Sequence, residues 1–287
     1  MSVILVTGSS TGIGQEAALH MARKGHRVYA SVRNPGTADE LREKIAADNL
    51  DAEIIRLDLL DPASIEEAIS QIVAAEGRLD AVVNNAGIGG GRAVEETSLE
   101  EAREVFDTNY FGMVSVLRSV IPIMRKQGSG RIVNIGSLAG RTVMGCHGHY
   151  SAAKWALEGL SEAMAMELAE FNIRVAVIEP GVTLTPALGK IKPPPPDTAY
   201  GNSLAKIGRF FEFGMTRPAM PADVAVAIAD AIESEQPRFR YPVGPDAEEM
   251  IAARNSVDDE EWIEANRLQG EAYNEKMAEL VGVDYYR

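Results

Sequence analysis

The chain has 287 residues and a hydrophobic fraction of 46%, enough for one large α/β domain or two smaller ones with substantial cores. Its net charge of −14 and isoelectric point near 4.8 argue against nucleic acid or an anionic membrane surface as partner, and no apolar run approaches the ~20 residues of a membrane span. The lone Cys146 allows no internal disulfide, and the N-terminus runs into Val3-Ile4-Leu5-Val6 with neither basic region nor cleavage site, so the expectation is a cytoplasmic protein.

Residues 3–6 read as a short buried strand, followed by Thr7-Gly8-Ser9-Ser10-Thr11-Gly12-Ile13-Gly14 and an amphipathic helix to about Lys24. A strand, a glycine-rich turn and a helix present backbone N–H groups and a positive helix end to phosphate. Glycines at 8, 12 and 14 allow positive φ and close approach of a pyrophosphate. A second strand, 27–32, ends in Ser31-Val32-Arg33-Asn34. An NAD-preferring fold would place a carboxylate here against the ribose 2′-hydroxyl, whereas this chain has Val32 and then a cation able to grip a 2′-phosphate. The expectation is NADP in preference to NAD, with a merely solvated Arg33 as the alternative.

A helix over 38–48 leads to a third strand, 53–57, and to Asp58-Leu59 at its carboxyl end, where ligands gather in open α/β sheets. Asp58 can accept from an adenine amino group or cap the helix begun by Asp61-Pro62. That helix, 62–76, precedes a fourth strand, 80–84, broken by Asn84-Asn85-Ala86-Gly87; the amides serve either turn chemistry or the pinning of the sheet beside a ribose. Residues 99–126 read as long and mostly helical. Asn109 inside them is a poor helix former whose reason is a satisfied polar contact or a water held in a proton relay. A fifth strand, 131–135, ends in Gly136-Ser137.

Tyr150-Ser151-Ala152-Ala153-Lys154 opens the next helix, and a spacing of four puts Tyr150 and Lys154 on one face. An ammonium beside a phenol favours the phenolate, and a phenol titrating near ~10 needs about 3–4 kcal/mol of such help to serve as a base at neutral pH. After about Phe171 a sixth strand, 174–178, ends in Glu179-Pro180-Gly181. Alternating strands and helices predict a Rossmann-like, doubly wound parallel α/β sheet of about seven strands with helices on both faces, as a single domain over 1–287. Within it, 1–185 forms the dinucleotide-binding and catalytic core. Residues 186–220, proline-rich and then aromatic, read as a substrate lid. A helix follows at 222–233 and a last strand at 238–243, and 245–287 forms a charged, helical C-terminal extension without an assigned catalytic role. Leu188, Leu204, Phe210, Phe211 and Met215 suit an apolar substrate or simply a core. His147 and His149 touch substrate or solvent, and their spacing makes no metal site.

With the Thr7-to-Gly14 turn, Asn84-Asn85-Ala86-Gly87, Asn109, Ser137 and the Tyr150/Lys154 pair in this order, the chain resembles the short-chain dehydrogenase/reductase family over about residues 1–245. The resemblance implies Tyr150 as acid/base, Ser137 as holder of the substrate oxygen, Lys154 as the group that lowers the tyrosine pKa and binds the nicotinamide ribose, and Asn109 as the link to a relay water. Together with Arg33, the implied cofactor contacts are Gly8, Ser10, Thr11, Gly12, Ile13, Gly14, Asp58, Leu59, Asn85, Ala86, Gly87, Tyr150, Lys154, Pro180, Gly181, Thr183 and Thr185. Thr183 stands where the family more often has Val, so which hydroxyl completes the nicotinamide clamp is open. The branch most resembled acts with NADP on hydroxysteroids, retinoids and similar apolar alcohols and ketones. Its members pair the helices around Asn109 and Tyr150 across subunits, which implies a homodimer or homotetramer. The competing readings are a catalytically silent dinucleotide sensor or scaffold, and a sugar-nucleotide epimerase or dehydratase.

Overall fold

The computed structural model describes residues 1–190 and 193–285. Ile191 and Lys192, within the 186–220 stretch, and Tyr286 and Arg287, at the end of the 245–287 stretch, lie outside the described residues.

Seven strands, β1 (Val3–Val6), β2 (Arg27–Val32), β3 (Ala52–Arg56), β4 (Ala81–Asn84), β5 (Gly130–Ile135), β6 (Ile173–Pro180) and β7 (Arg240–Val243), form one parallel sheet in the order β3-β2-β1-β4-β5-β6-β7. Leu5 pairs in register with Tyr29 on one side and Val82 on the other. The strand order reverses between β1 and β4, so their carboxyl ends open a crevice there, the place where such sheets bind ligands. The strands are short aliphatic runs because both of their faces are covered by helices.

The helices of the sheet half are α1 (Gly12–Arg23), α2 (Asp39–Ala47), α3 (Pro62–Glu76), α4 (Leu99–Phe106), α5 (Met113–Gln127), α6 (Gly148–Glu167), α7 (Gly201–Gly214) and α8 (Pro221–Glu233). Local chemistry sets several of their ends. The Asp61 carboxylate accepts from Ser64 N at the start of α3, Ser98 and Glu101 form a reciprocal capping box on α4, and left-handed Gly77 and Gly128 stop α3 and α5. One face of the sheet buries its aliphatics against α1 and α8, the other against α3, α5 and α6.

The stretch 99–126 is helical throughout, as α4, a π-helical segment, Asp107–Gly112, that carries Asn109, and α5. Beyond the proline-rich residues, α7 occupies 14 residues of the 186–220 stretch. Three further helices, α9 (Pro245–Ser256), α10 (Asp259–Arg267) and α11 (Gly270–Val281), form the C-terminal extension. They bury Met250, Trp262, Tyr273 and Met277 in a third cluster shared with Phe210 of α7, Leu138 after β5 and Val182 after β6. The charged tail is therefore an amphipathic layer packed over the lid segment.

Candidate active site

The glycine-rich turn is built to leave backbone bare. Gly8 and Gly12 hold φ of +71° and +63°, and a Cβ on Gly8 would stand 2.8 Å from the Ala86 Cα. Gly14 touches the Gly8 carbonyl so closely that no side chain fits. The Asn85 amide donates to the carbonyls of Thr7 (2.9 Å) and Gly8 (3.2 Å), and the Thr7 hydroxyl accepts from Asn85 N and Ala86 N. Asn85 and Ala86 thus tie the β4 end to the turn, with the Asn85 amide group spent on protein carbonyls. Ser10 and Thr11 are exposed at the turn's tip, ahead of the N-terminus of α1, while Ile13 packs on the core. Exposed backbone, a helix N-terminus and glycines without room for Cβ suit a dinucleotide pyrophosphate.

The other strand ends line the same edge. Arg33 is exposed at the end of β2, and Ser9 N on the turn donates to Ser31 O on that strand. Asp58 does not cap α3, which Asp61 does. Its Oδ1 accepts from Leu60 N at 3.1 Å in a tight turn of its own. Leu59 is buried, packed where Gly112 of the π segment has no Cβ. After β6, Gly181 N donates to Val243 O, and the Thr183 hydroxyl is used locally on the Gly181 carbonyl at 3.2 Å. Thr185 instead lies against Gly12, its Cβ 3.3 Å from where that glycine's Cβ would be. Of the two threonines, Thr185 is the one facing the glycine turn.

Asn109, Ser137, Tyr150 and Lys154 converge at the carboxyl edge of β4 and β5. The Asn109 side chain both accepts from Ile88 N and donates to Ile88 O, each at 2.8 Å, fastening the loop after β4 to the π segment; Gly87 leaves room for it. Ser137 Oγ accepts from Ala139 N at 3.1 Å, and its hydroxyl is the polar group that favours the ionised Tyr150 phenol. Lys154 is buried, its ammonium donates to the Ile135 carbonyl at 2.7 Å, and its Nζ lies 5.8 Å from the Tyr150 ring centroid. Burial pushes the Tyr150 phenol up, with the Ser137 hydrogen bond pulling it down. Burial also lowers Lys154 to about 8, opposed by the charge of Glu158. The constellation can deliver or accept a proton at the Tyr150 oxygen beside a fixed hydroxyl and a cation.

His147 stacks on Tyr150, ring centroids 4.7 Å apart and planes 18° apart, and meets Phe211 of α7 edge-on at 6.2 Å. Burial lowers His147 to about 4, so at neutral pH it is an uncharged aromatic wall. His149 leaves its Nε2 buried without a hydrogen-bond partner among the described residues. The 186–220 segment packs on this corner: Arg92 donates to the Pro193 carbonyl at 3.0 Å, the Tyr200 hydroxyl to Glu95 at 2.7 Å, and Ser203 crowds Gly145. Among the lid residues singled out from sequence, Phe210 packs the third core and stacks on Tyr285, Met215 is exposed, and Phe211 faces the site.

Sequence reasoning missed two buried acids next to this machinery. Asp246, at the start of α9, accepts from Val182 N at 2.6 Å and fills the space where Gly181 lacks a Cβ, locking the strand end to the C-terminal extension. Glu158, on α6 one turn beyond Lys154, is buried, and burial followed by the neighbouring Glu179 raises it to about 7. A spacing of four from Lys154 was the available signal for Glu158; nothing local pointed to Asp246.

Comparison with known proteins agrees with this geometry. The family model described as short chain dehydrogenase matches residues 2–195. A 3-ketodihydrosphingosine reductase of Bacteroides thetaiotaomicron is 32% identical over 272 residues, spanning 93% of this chain and 95% of that protein. A solved short-chain dehydrogenase from Streptomyces avermitilis is 35% identical, with a TM-score of 0.81 over 93% of this chain and 97% of its own. An actinorhodin polyketide ketoreductase solved with NADPH is 28% identical, with a TM-score of 0.73 over 84% of this chain and 95% of its own.

Proposed function

The chain belongs to the short-chain dehydrogenase/reductase family, NAD(P)-dependent oxidoreductases acting on CH–OH groups, and from that premise we propose that it interconverts an apolar ketone and its alcohol with NADP(H). The observation that carries the substrate reading is the site wall. Tyr150 stands under a neutral His147 ring, with Phe211 of α7 completing an aromatic face that offers no charge to a sugar nucleotide or a carboxylate. NADP over NAD is supported by Arg33 at the end of β2 with no acid in front of it, and by the NADPH complex of a structural relative.

When bound, the nicotinamide supplies or accepts the hydride; the protein's own work is placement and the proton. Gly8, Gly12 and Gly14 leave backbone N–H groups at the N-terminus of α1 for the pyrophosphate, and Thr185 borders that turn. Arg33 is the group for a 2′-phosphate. Ser137, next to Tyr150, holds the substrate oxygen beside the phenol, so in the reductive direction Tyr150 gives its proton to that oxygen and in the oxidative direction takes it. Lys154 brings the positive charge that offsets burial of the phenolate, while its bond to Ile135 O fixes where the charge sits. Asn109, both of whose polar groups are engaged by Ile88, acts by holding the loop after β4 against the π segment. The 186–220 segment serves as the lid and 245–287 as its support. A homodimer or homotetramer is part of the same proposal.

The test is NADPH and NADH consumption against 3-ketodihydrosphingosine, all-trans-retinal and steroid ketones, with UDP-sugars as the opposing panel. Turnover of an apolar ketone with NADPH is expected. Turnover confined to UDP-sugars, or to NADH alone, contradicts the reading.

A further inference from the structure

Tyr150, Lys154 and Glu158 are spaced by four along α6 and so share one stripe of the helix. Glu158 is 5% exposed, a rare situation for a carboxylate, which is seldom buried unless paired. Only half of it is paired. Its Oε2 accepts from Arg240 Nε at 3.0 Å, whereas its Oε1 is buried with no hydrogen-bond partner among the described residues. That free oxygen points at the turn which carries Ser137: a Cβ on Gly136 would stand 3.0 Å from it, and a Cβ on Gly140 would stand 3.1 Å from the Glu158 Cγ and 3.2 Å from the Lys154 carbonyl. Two glycines bracketing Ser137 thus make the room in which a bare carboxylate oxygen sits, on a residue one helical turn beyond Lys154.

Every charged group packed on Glu158 can be named. From β6 comes Glu179, buried, bound by Arg141 at 2.9 Å from the turn after β5 and 3.5 Å from Arg240. From β7 comes Arg240, which also binds the half-exposed Glu162 of α6 at 2.8 Å. From α6 itself comes Lys154. Three carboxylates, the buried Glu158 and Glu179 and the half-exposed Glu162, face two guanidiniums, and the buried Lys154 ammonium is the sixth charge of the group. A buried cation needs a counter-charge to stay ionised, and Glu158 is the one whose charge supports it.

We propose that Glu158 is a positioning residue for the reaction: its half-paired, buried carboxylate keeps the Lys154 ammonium charged on the side away from Tyr150. The inference rests on the proposed use of Lys154 beside Tyr150. It adds a consequence, because Glu158 titrates at about 7 and is therefore neutral below that pH and ionised above it. The support given to Lys154 switches on as pH rises through neutrality.

The experiment reads Lys154 directly, on the full chain without substrate or cofactor. The protein is produced with lysine labelled with ¹³C at Cε, the Lys154 resonance is assigned by its loss in Lys154→Arg, and it is titrated from pH 6 to 11. In Glu158→Gln the Lys154 midpoint is expected to fall by about half a pH unit or more, since removing a nearby negative charge weakens the ammonium; in Glu158→Asp it is expected to stay close to the parent value. An unchanged midpoint in folded Glu158→Gln overturns the proposal. Should that variant not fold, the wild-type curve decides: a second, smaller step near pH 7 is expected as Glu158 ionises, and a single-step curve overturns the proposal. Because the readout is independent of turnover, its failure is distinguishable from failure of the ketone-reductase reading, which the turnover of Tyr150→Phe tests separately.

Discussion

The sheet and the lid bury different kinds of side chain, and the difference separates two jobs. Around the sheet, both clusters are almost wholly aliphatic, supplied by strands and helices that alternate along the chain. Above it, the third cluster is aromatic and sulfur-rich, with Met250, Trp262, Tyr273, Met277 and Tyr285 of the C-terminal extension packed on Phe210 of α7 and flanked by Arg217 and Glu249. The first arrangement holds strand ends and glycine backbone in fixed register for a cofactor common to a whole family. The second, joined to the first through Asp246 on Val182, presents Phe211 to the reacting corner. On the proposed function, placement of the cofactor and choice of substrate belong to separately packed layers.

That separation is breakable in graded steps. The largest effect belongs to the sheet's carboxyl edge. Tyr150→Phe is expected to lower turnover about 10³-fold, within the usual worth of a general acid, while NADPH fluorescence titration gives an unchanged affinity. Next, Tyr285→Ala removes a buried ring packed 5.6 Å from Phe210 and 4.7 Å from Phe213 and bonded to Glu249. It should cost about 3 kcal/mol in denaturant unfolding, with NADPH affinity of the folded protein intact. If NADPH affinity collapses with it, the two layers are one cooperative unit. Arg33→Ala is expected to weaken NADPH about tenfold and leave NADH unchanged, as the loss of a charge-assisted contact. Phe211→Ala should raise the KM of an apolar ketone about fivefold with little change in NADPH affinity, because only apolar contact is lost.

The smallest expected effect is on pH dependence. Burial depresses Lys154 to about 8, so its ammonium is present below that pH and is lost as pH rises through it. Reduction needs both that charge and the phenol proton, so kcat/KM for the ketone should be about half its neutral value near pH 8 and continue downward. A profile rising through pH 8 in the reductive direction would remove Lys154 from the account.

The same two layers differ in how legible they were. The sheet was readable because each strand is a short aliphatic run closed by Gly, Asn or Asp, and each helix carries its own stop or start chemistry, as at Asp61-Pro62 and Gly77. The glycine turn and Ser137 follow β1 and β5, Tyr150 and Lys154 stand four apart on α6, and Asn109 is a poor helix former inside a helical stretch, so strand ends and helical spacing made these positions stand out in the chain. The lid helix was not, since prolines before Gly201 and scattered glycines within it hide a periodicity that only packing against Tyr285 and Val182 completes. Asp58 looked equally suited to capping or to a ligand, and three residues decided it, because Asp61 stands at the right offset from Ser64. Glu158 and Asp246 were hidden more deeply. In sequence they are ordinary helix acids; their burial follows from Arg240, Glu179 and Gly181, which lie on other elements.

The account's central claim is that hydride passes between a nicotinamide and a carbonyl carbon while Tyr150 handles the proton. NADPH dideuterated at C4, incubated with 3-ketodihydrosphingosine and the wild-type enzyme, tests it most directly by mass spectrometry of the alcohol. The predicted result is an alcohol carrying one deuterium on the carbinol carbon, formed about 10³-fold more slowly by Tyr150→Phe with the same bound cofactor. Alcohol without deuterium, or labelled alcohol at an undiminished rate from the Phe variant, would contradict it.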